Sequence, residues 1–170
     1  MKTFFRIPQR LLDGVHADLS RPHAHALERV GFLACRVATV GEGGFALLAE
    51  SYLPVADEDY EQRDDVGACI NGTAIRKALQ VAYNDRLSMV HVHRHEHRGV
   101  PRFSRLDLVE GAKFVPDFWK VKPAWPHGLV VLSQDAMAGL AWNPTTREPV
   151  PMTEMTVVGQ PLRIWRNPHG

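Results

Sequence analysis

The chain has 170 residues, a length that suits one domain with its own hydrophobic core. Hydrophobic residues make up 45% of the sequence, which argues against a disordered polypeptide, and the formal net charge of +1 argues against a nucleic-acid-binding protein. No apolar run approaches the roughly 20 residues that span a bilayer, and the N-terminal residues lack the apolar core of a secretory signal. We therefore expect one cytoplasmic domain over residues 1–170, with no nucleic-acid or membrane partner.

The first half of the chain predicts a strand, a helix and a hairpin. Thr3–Ile7 is typical of a short strand, and Pro8 suits the first turn of a helix with one apolar stripe. Val30–Val40 and Phe45–Leu53 are rich in apolar and β-branched residues, and the glycines between them predict a hairpin turn. The acidic, turn-rich residues 54–68 predict a surface loop.

The second half begins with the clearest helical pattern. Its apolar residues follow the i, i+3, i+4, i+7, i+8 spacing, and Asn71 or Thr73 precedes them as a cap: they are Ile75, Ala78, Leu79, Ala82 and Tyr83. Leu87–Val92 predicts a buried strand, and a further helix is predicted to begin at Ser104. Four short strands are predicted at 128–133, 138–143, 155–159 and 161–165. Strands mixed with three helices favour an α/β or α+β sandwich around one central sheet.

Histidines are the most informative residues, because four of the nine lie between positions 91 and 97. Alternate side chains of a strand share a face, so His91 and His93 are predicted to point at one ion. A helix that begins at Ser104 would return Asp107 to the strand end as a third ligand. Two imidazoles and one carboxylate suit zinc and leave the fourth position open, as in a catalytic site. Cys35 and Cys69 are too few for a thiolate zinc site and are expected to be reduced thiols.

Each of these features also has a structural explanation. An isolated His-x-His pair more often lies in a core or on a surface than on a metal, and Ser104-x-x-Asp107 resembles a helix capping box. Glu28, directly before the first long strand, could be a solvated charge or could reach the sheet end as a general base.

Taken together, Glu28-x-x-Gly31, His91-x-His93 and Ser104-x-x-Asp107 resemble the JAMM zinc metalloproteases, the active branch of the JAB/MPN family. The resemblance extends to the order of elements over most of the chain. It implies an MPN-like (cytidine-deaminase-like) α-β-α sandwich, with a central mixed sheet flanked by helices. It also implies zinc on His91, His93 and Asp107, with Glu28 as base and Ser104 as hydrogen-bond donor to the oxyanion.

Two ligand registers remain open. The family pattern reads His-[Ser/Thr]-His-x7-Ser-x2-Asp, whereas ten residues separate His93 from Ser104 here. Choosing His93 and His95 instead leaves eight residues, which is closer to the pattern, but places Arg94 where the family has a small residue. Val92 nearly matches threonine in shape, and His91 and His93 directly end the apolar strand, so we favour that pair.

The function implied by the resemblance is hydrolysis of an isopeptide or peptide bond at the C-terminus of a ubiquitin-like protein. Bacterial relatives of this type accompany E1-like and E2-like enzymes, and the implied roles are deconjugation or precursor processing in a ubiquitination-like antiphage operon. MPN domains often pair, so a homodimer is an expected assembly. Two alternatives are a catalytically inactive MPN scaffold and a metal-binding module, each of which would bind a protein partner without turnover.

Overall fold

A computed structural model describes residues 1–24, 26–62, 67–122 and 124–167, which form a mixed α/β fold of nine strands and three α-helices. The strands are β1 (Thr3–Pro8), β2 (Val30–Val40), β3 (Gly44–Pro54), β4 (Ser88–Arg94), β5 (His127–Leu132), β6 (Met137–Trp142), β7 (Pro149–Pro151), β8 (Glu154–Val158) and β9 (Arg163–Arg166). The helices are α1 (Gln9–Leu19), α2 (Gly72–Asp85) and α3 (Arg105–Phe114). Short 3₁₀ segments cover Asp57–Asp59 and Val115–Lys120.

All nine strands belong to one sheet, in the order β7-β6-β5-β4-β2-β3-β1-β8-β9. Strands β1–β3, β1–β8 and β4–β5 pair in parallel, and the remaining neighbours are antiparallel. Strands β6 and β8 are far apart in this order but contact each other, which shows that the sheet curls on itself. A Cβ atom on Gly139 of β6 would lie 3.1 Å from Met155 of β8. The mixed sheet with helices confirms the expected α/β class.

The helices cover both faces of the sheet. Leu12, Val15 and Leu19 of α1 pack with Val90 and Val92 of β4 in one core cluster. The alternate residues of the sheet face the other way and pack with α2 and the second 3₁₀ segment in a second cluster, which contains Phe32, Ala34, Ala74, Ala78, Ala82, Met89 and Phe118. The central strands β2 and β4 are therefore buried on both faces, as their apolar sequences require.

The α2 helix shows how closely the pattern predicted local structure. Asn71 is its N-cap, with its side-chain oxygen accepting hydrogen bonds from the backbone N–H groups of Thr73 (2.8 Å) and Ala74 (3.3 Å). The buried stripe consists of alanines at four-residue spacing, which bring the helix close to the sheet. The prediction that Tyr83 joins this stripe was wrong: its side chain is 66% exposed, because the stripe is narrower than the apolar pattern suggested.

Other differences are small shifts of element ends. Pro8 ends β1 and is the N-cap of α1 instead of lying in its first turn. Strand β4 continues two residues beyond the predicted end, through His93 to Arg94. The predicted loop over 54–68 contains the 3₁₀ segment Asp57–Asp59, and its residues 63–66 lie outside the described part of the chain. Within the described ranges, no helix is long and apolar enough to cross a membrane.

Candidate metal centre

Strand β4 delivers the histidines to one face of the sheet. Val90 and Val92 point towards α1, so His91 and His93 point to the opposite face, where α2 and α3 lie. The strand ends at Arg94, and the backbone N–H of His95 donates to the carbonyl of Leu132 at 2.8 Å. That bond holds His95 close to the sheet end, so three histidines follow one another along the same face.

The pairing register of β2 with β4 brings Glu28 to the same place. Phe32 lies opposite His91 and Val30 lies opposite His93, so Glu28, two residues before β2, lies near the end of β4 where the histidines are. One carboxylate oxygen of Glu28 and one ring nitrogen each of His93 and His95 all lie within 4.8 Å of one another. The three side chains therefore form a cluster that has the donor atoms and the compactness of a metal site.

Asp107 approaches this cluster from α3. Its Oδ1 atom lies 3.4 Å from Nε2 of His93, and its Oδ2 atom lies 3.9 Å from Nε2 of His95. The carboxylate is held by a capping box: Oδ2 accepts the backbone N–H of Ser104 at 2.6 Å, and the Ser104 hydroxyl accepts the backbone N–H of Asp107 at 3.1 Å. The capping box leaves Oδ1 of Asp107 beside His93, so this residue can cap α3 and approach the histidines at the same time.

The electrostatics of Asp107 favour its ionised form. Partial burial alone would raise its pKa, but the hydrogen bond with His93, the charge of that ring and the two bonds to Ser104 lower the pKa to about 2. A carboxylate that is ionised at neutral pH is the form that binds a cation.

The donor geometry fits zinc. A tetrahedral ion with ligands at about 2.0–2.1 Å holds its donor atoms about 3.3 Å apart. The Nε2 atoms of His93 and His95 are 3.2 Å apart, and Oδ1 of Asp107 lies 3.4 Å from the first of them. These two separations are compatible with a zinc ion held by the two imidazoles and the carboxylate of Asp107.

His91, which the sequence analysis placed among the ligands, lies deeper along β4. Its ring centroid is 5.8 Å from that of His93, and it packs against Phe32 (5.4 Å) and Phe114 (5.1 Å). Burial, together with the charge of His93, lowers its pKa to about 3, although Asp107 opposes the shift. The structure therefore brings His93, Asp107 and Glu28 together as expected, adds His95, and places His91 in an aromatic setting beside them.

A second set of contacts, which the sequence did not reveal, fixes the backbone at Glu28. The backbone N–H of Glu28 donates to the carbonyl of Gly67 at 2.9 Å. A Cβ atom on Gly67 would lie 3.0 Å from Oε2 of Glu28, so the side chain of Glu28 passes close to this glycine.

The neighbouring Arg29 is only 4% exposed. Its guanidinium donates to Asp57 (2.7 Å) and to the carbonyls of Arg21 (3.0 Å) and Pro22 (2.8 Å). No sequence signal separates this buried arginine from a surface one, since its partners are a loop aspartate and backbone carbonyls.

The cluster opens into a cavity of about 400 Å³ between α2 and α3. Glu28, His91, His93, His95, Ser104 and Asp107 all line it. Every residue named in the predicted site thus shares one cavity, whichever two histidines bind the ion.

No protein-family model matches this sequence, and no curated protein matches it.

Proposed function

We propose that this protein is a zinc-dependent hydrolase of amide bonds, with His93, His95 and Asp107 as zinc ligands. The observation that carries the proposal is the spacing of three donor atoms, 3.2 Å between the two Nε2 atoms and 3.4 Å from the first of them to Oδ1 of Asp107. Three protein ligands leave one coordination position for water, the arrangement of a hydrolytic zinc site. His91 is assigned to the cavity wall, because Phe32 and Phe114 surround its ring.

Glu28 is the proposed general base. When bound, zinc supplies Lewis acidity and lowers the pKa of a coordinated water to about 7. The carboxylate of Glu28 lies within 4.8 Å of the ring nitrogens of His93 and His95, near enough to accept a proton from a water held between them. The same carboxylate then delivers that proton to the leaving amine.

Ser104 is the proposed donor to the oxyanion. Its oxygen already accepts the N–H of Asp107, so the hydroxyl hydrogen is left to donate. The side chain lines the cavity beside the ligands. A donor aimed at the developing negative charge stabilises the transition state more than the ground state.

The resemblance to the JAMM proteases supplies the proposed substrate class, an isopeptide or peptide bond at the C-terminus of a ubiquitin-like protein. The mixed sheet with helices on both faces is compatible with the MPN-like sandwich of that family. On this proposal the protein removes a ubiquitin-like modifier or trims its precursor, together with E1-like and E2-like enzymes in a bacterial antiphage operon.

A second candidate function is a metal-binding module without turnover. The ring centroids of His91, His93, His95 and His97 follow one another at 5.8, 5.0 and 5.9 Å, which favours metal capture along the whole run. Such a module does not need a general base, so the effect of replacing Glu28 distinguishes the two functions.

Replacing Glu28 by glutamine tests the proposal. We expect cleavage of a ubiquitin-like fusion protein by the zinc-loaded enzyme to slow by roughly 10²–10⁴-fold, the usual contribution of a general base. Zinc content should stay near that of the wild type. Glu42→Gln is the matched control, because Glu42 is an exposed glutamate between β2 and β3 and does not line the cavity. Unchanged cleavage in Glu28→Gln would contradict the assigned base, and loss of zinc would make Glu28 a ligand.

A further inference from the structure

The cavity beside the metal donors is larger than a water and a reacting carbonyl need. Its volume is about 400 Å³, within the range of pockets that enclose part of a ligand. Val30 of β2 and Leu129 of β5 form its floor, on either side of the histidine strand. The metal donors form only part of its lining, so the space along the rest of the lining is available to a group of the substrate.

The walls of this remaining space are apolar. Ile70 and Ile75 contribute from the α2 side, and Leu106 and Phe114 contribute from α3. Among the described lining residues outside the proposed site, the charged side chains are Glu110 and Lys113, which pair with each other at 2.6 Å. Because these two charges offset each other, an apolar group meets no unpaired charge there.

We infer that this space is a specificity pocket, which receives the apolar side chain of a substrate residue next to the cleaved bond. The inference rests on the proposed function, since it assigns a substrate residue to the same site. Leucine, isoleucine, methionine and phenylalanine are the residues whose side chains gain most by leaving water for such walls. A glycine at the same position would leave the pocket filled with water and gain nothing from it.

Methyl NMR tests the pocket without metal or turnover. Protein with labelled isoleucine and leucine methyl groups is titrated, with a chelator present, with 4-methylpentanamide and with acetamide as control. We expect concentration-dependent shifts of the Ile70, Ile75 and Leu129 signals with the branched amide only. Ile75→Trp and Leu106→Trp should each abolish these chemical-shift changes. Leu106 is a partly exposed helix residue, so its replacement leaves the core intact. Absent shifts, or shifts that survive both substitutions, would overturn the inference.

Cleavage specificity provides the second arm. Paired substrates that differ only in leucine or glycine beside the cut should differ in kcat/KM by roughly tenfold or more, the usual discrimination by an apolar pocket. Ile75→Trp should reduce this ratio towards one, because the larger side chain fills the space that the leucine would enter. Equal kcat/KM values for the two substrates in the wild type would contradict the pocket. If the wild type cleaves neither substrate, the proposed function fails, whereas the NMR titration still decides the pocket.

Discussion

Ser104 combines a structural and a chemical role in one side chain. As N-cap of α3 it accepts the N–H of Asp107 at 3.1 Å, and as a proposed oxyanion donor it uses the remaining hydroxyl hydrogen. Removing the hydroxyl tests the proposed oxyanion role only if the loss of the N-cap does not itself destabilise the protein. Glycine is suited to this, because it replaces a serine N-cap at a cost of only a few tenths of a kcal/mol.

We predict that Ser104→Gly lowers kcat about a hundredfold, the usual loss of one oxyanion donor, while the free energy of unfolding falls by only a few tenths of a kcal/mol. Steady-state kinetics and urea unfolding measure the two effects. Asn71→Gly is the matched control, since it removes the N-cap side chain of α2 and leaves the cavity lining intact. A kcat for Ser104→Gly within threefold of the control would remove Ser104 from the chemistry.

His127 is a buried residue whose ionisation should affect stability. Its ring stacks on Phe118 at 5.3 Å, and its Nδ1 accepts the N–H of Met89 at 3.0 Å, so Nε2 carries the proton and donates to the carbonyl of Lys122 at 3.2 Å. Burial, with a smaller contribution from Arg147, lowers its pKa to about 4, although the hydrogen bond from Nε2 to the Lys122 carbonyl opposes the shift. Below about pH 6.5 the unfolded chain therefore binds a proton that the folded chain does not.

It follows that the free energy of unfolding falls as the pH decreases from about 6.5 to about 4, by up to about 1.4 kcal/mol per pH unit from this residue. Replacing His127 by glutamine should lower stability at pH 7 and make its pH dependence shallower. Urea unfolding at pH 7, 6 and 5, with a chelator so that metal binding does not contribute, measures both. Identical pH slopes in the two proteins would mean that folding does not lower the pKa of His127.

At the scale of elements, the β2–β3 hairpin is held by an unusually close contact. A Cβ atom on Gly31 of β2 would lie 2.4 Å from the ring of Tyr52 in β3. The hydroxyl of Tyr52 donates to Asp18 of α1 at 2.6 Å, so the ring lies across Gly31 and joins the hairpin to the helix. Glycine is required there by the lack of space for any side chain.

We therefore predict that Gly31→Ala lowers the free energy of unfolding by about 1–3 kcal/mol, the usual effect of overpacking. Gly14→Ala is the opposite control: nothing lies within 4 Å of its Cβ position in α1, so it should stabilise the protein by about 0.5–1 kcal/mol. Urea unfolding of both variants compares them directly. Equal midpoints for Gly31→Ala and the wild type would show that Tyr52 moves aside without strain.

Helices and strands with strong local signals were predictable, and weaker ones were not. Asn71 and Ser104 cap the helices that their sequences predict, because capping depends on neighbouring residues alone. The strand β7 was missed, since two of its three residues are prolines and it pairs at an edge of the sheet. Strand β4 was predicted to end at Val92, because His93 and Arg94, which continue it, have no strong strand preference.

At the scale of the whole molecule, the arrangement of the site depends on strand register, which local sequence does not specify. The pairing of Val30 with His93 brings Glu28 close to His93 and His95, and so joins residues up to 67 positions apart in the sequence. The resemblance to the JAMM family named Glu28, His93, Ser104 and Asp107, all of which share one cavity. It left two histidine pairs open, and two observations favour His93 and His95: the 3.2 Å between their Nε2 atoms and the packing of His91 against Phe32 and Phe114.

The most direct test of the proposed centre is the zinc content per chain of the wild type, His91→Leu and His95→Ala, measured by elemental analysis after dialysis. Leucine suits the aromatic surroundings of His91, and circular dichroism checks that each variant is folded. We predict about one zinc per chain in the wild type and in His91→Leu, and a large loss in His95→Ala, because His95 is a proposed ligand and His91 is not. Zinc retained in His95→Ala but lost in His91→Leu would restore the His91–His93 pair, and a wild type without zinc would contradict the metal centre itself.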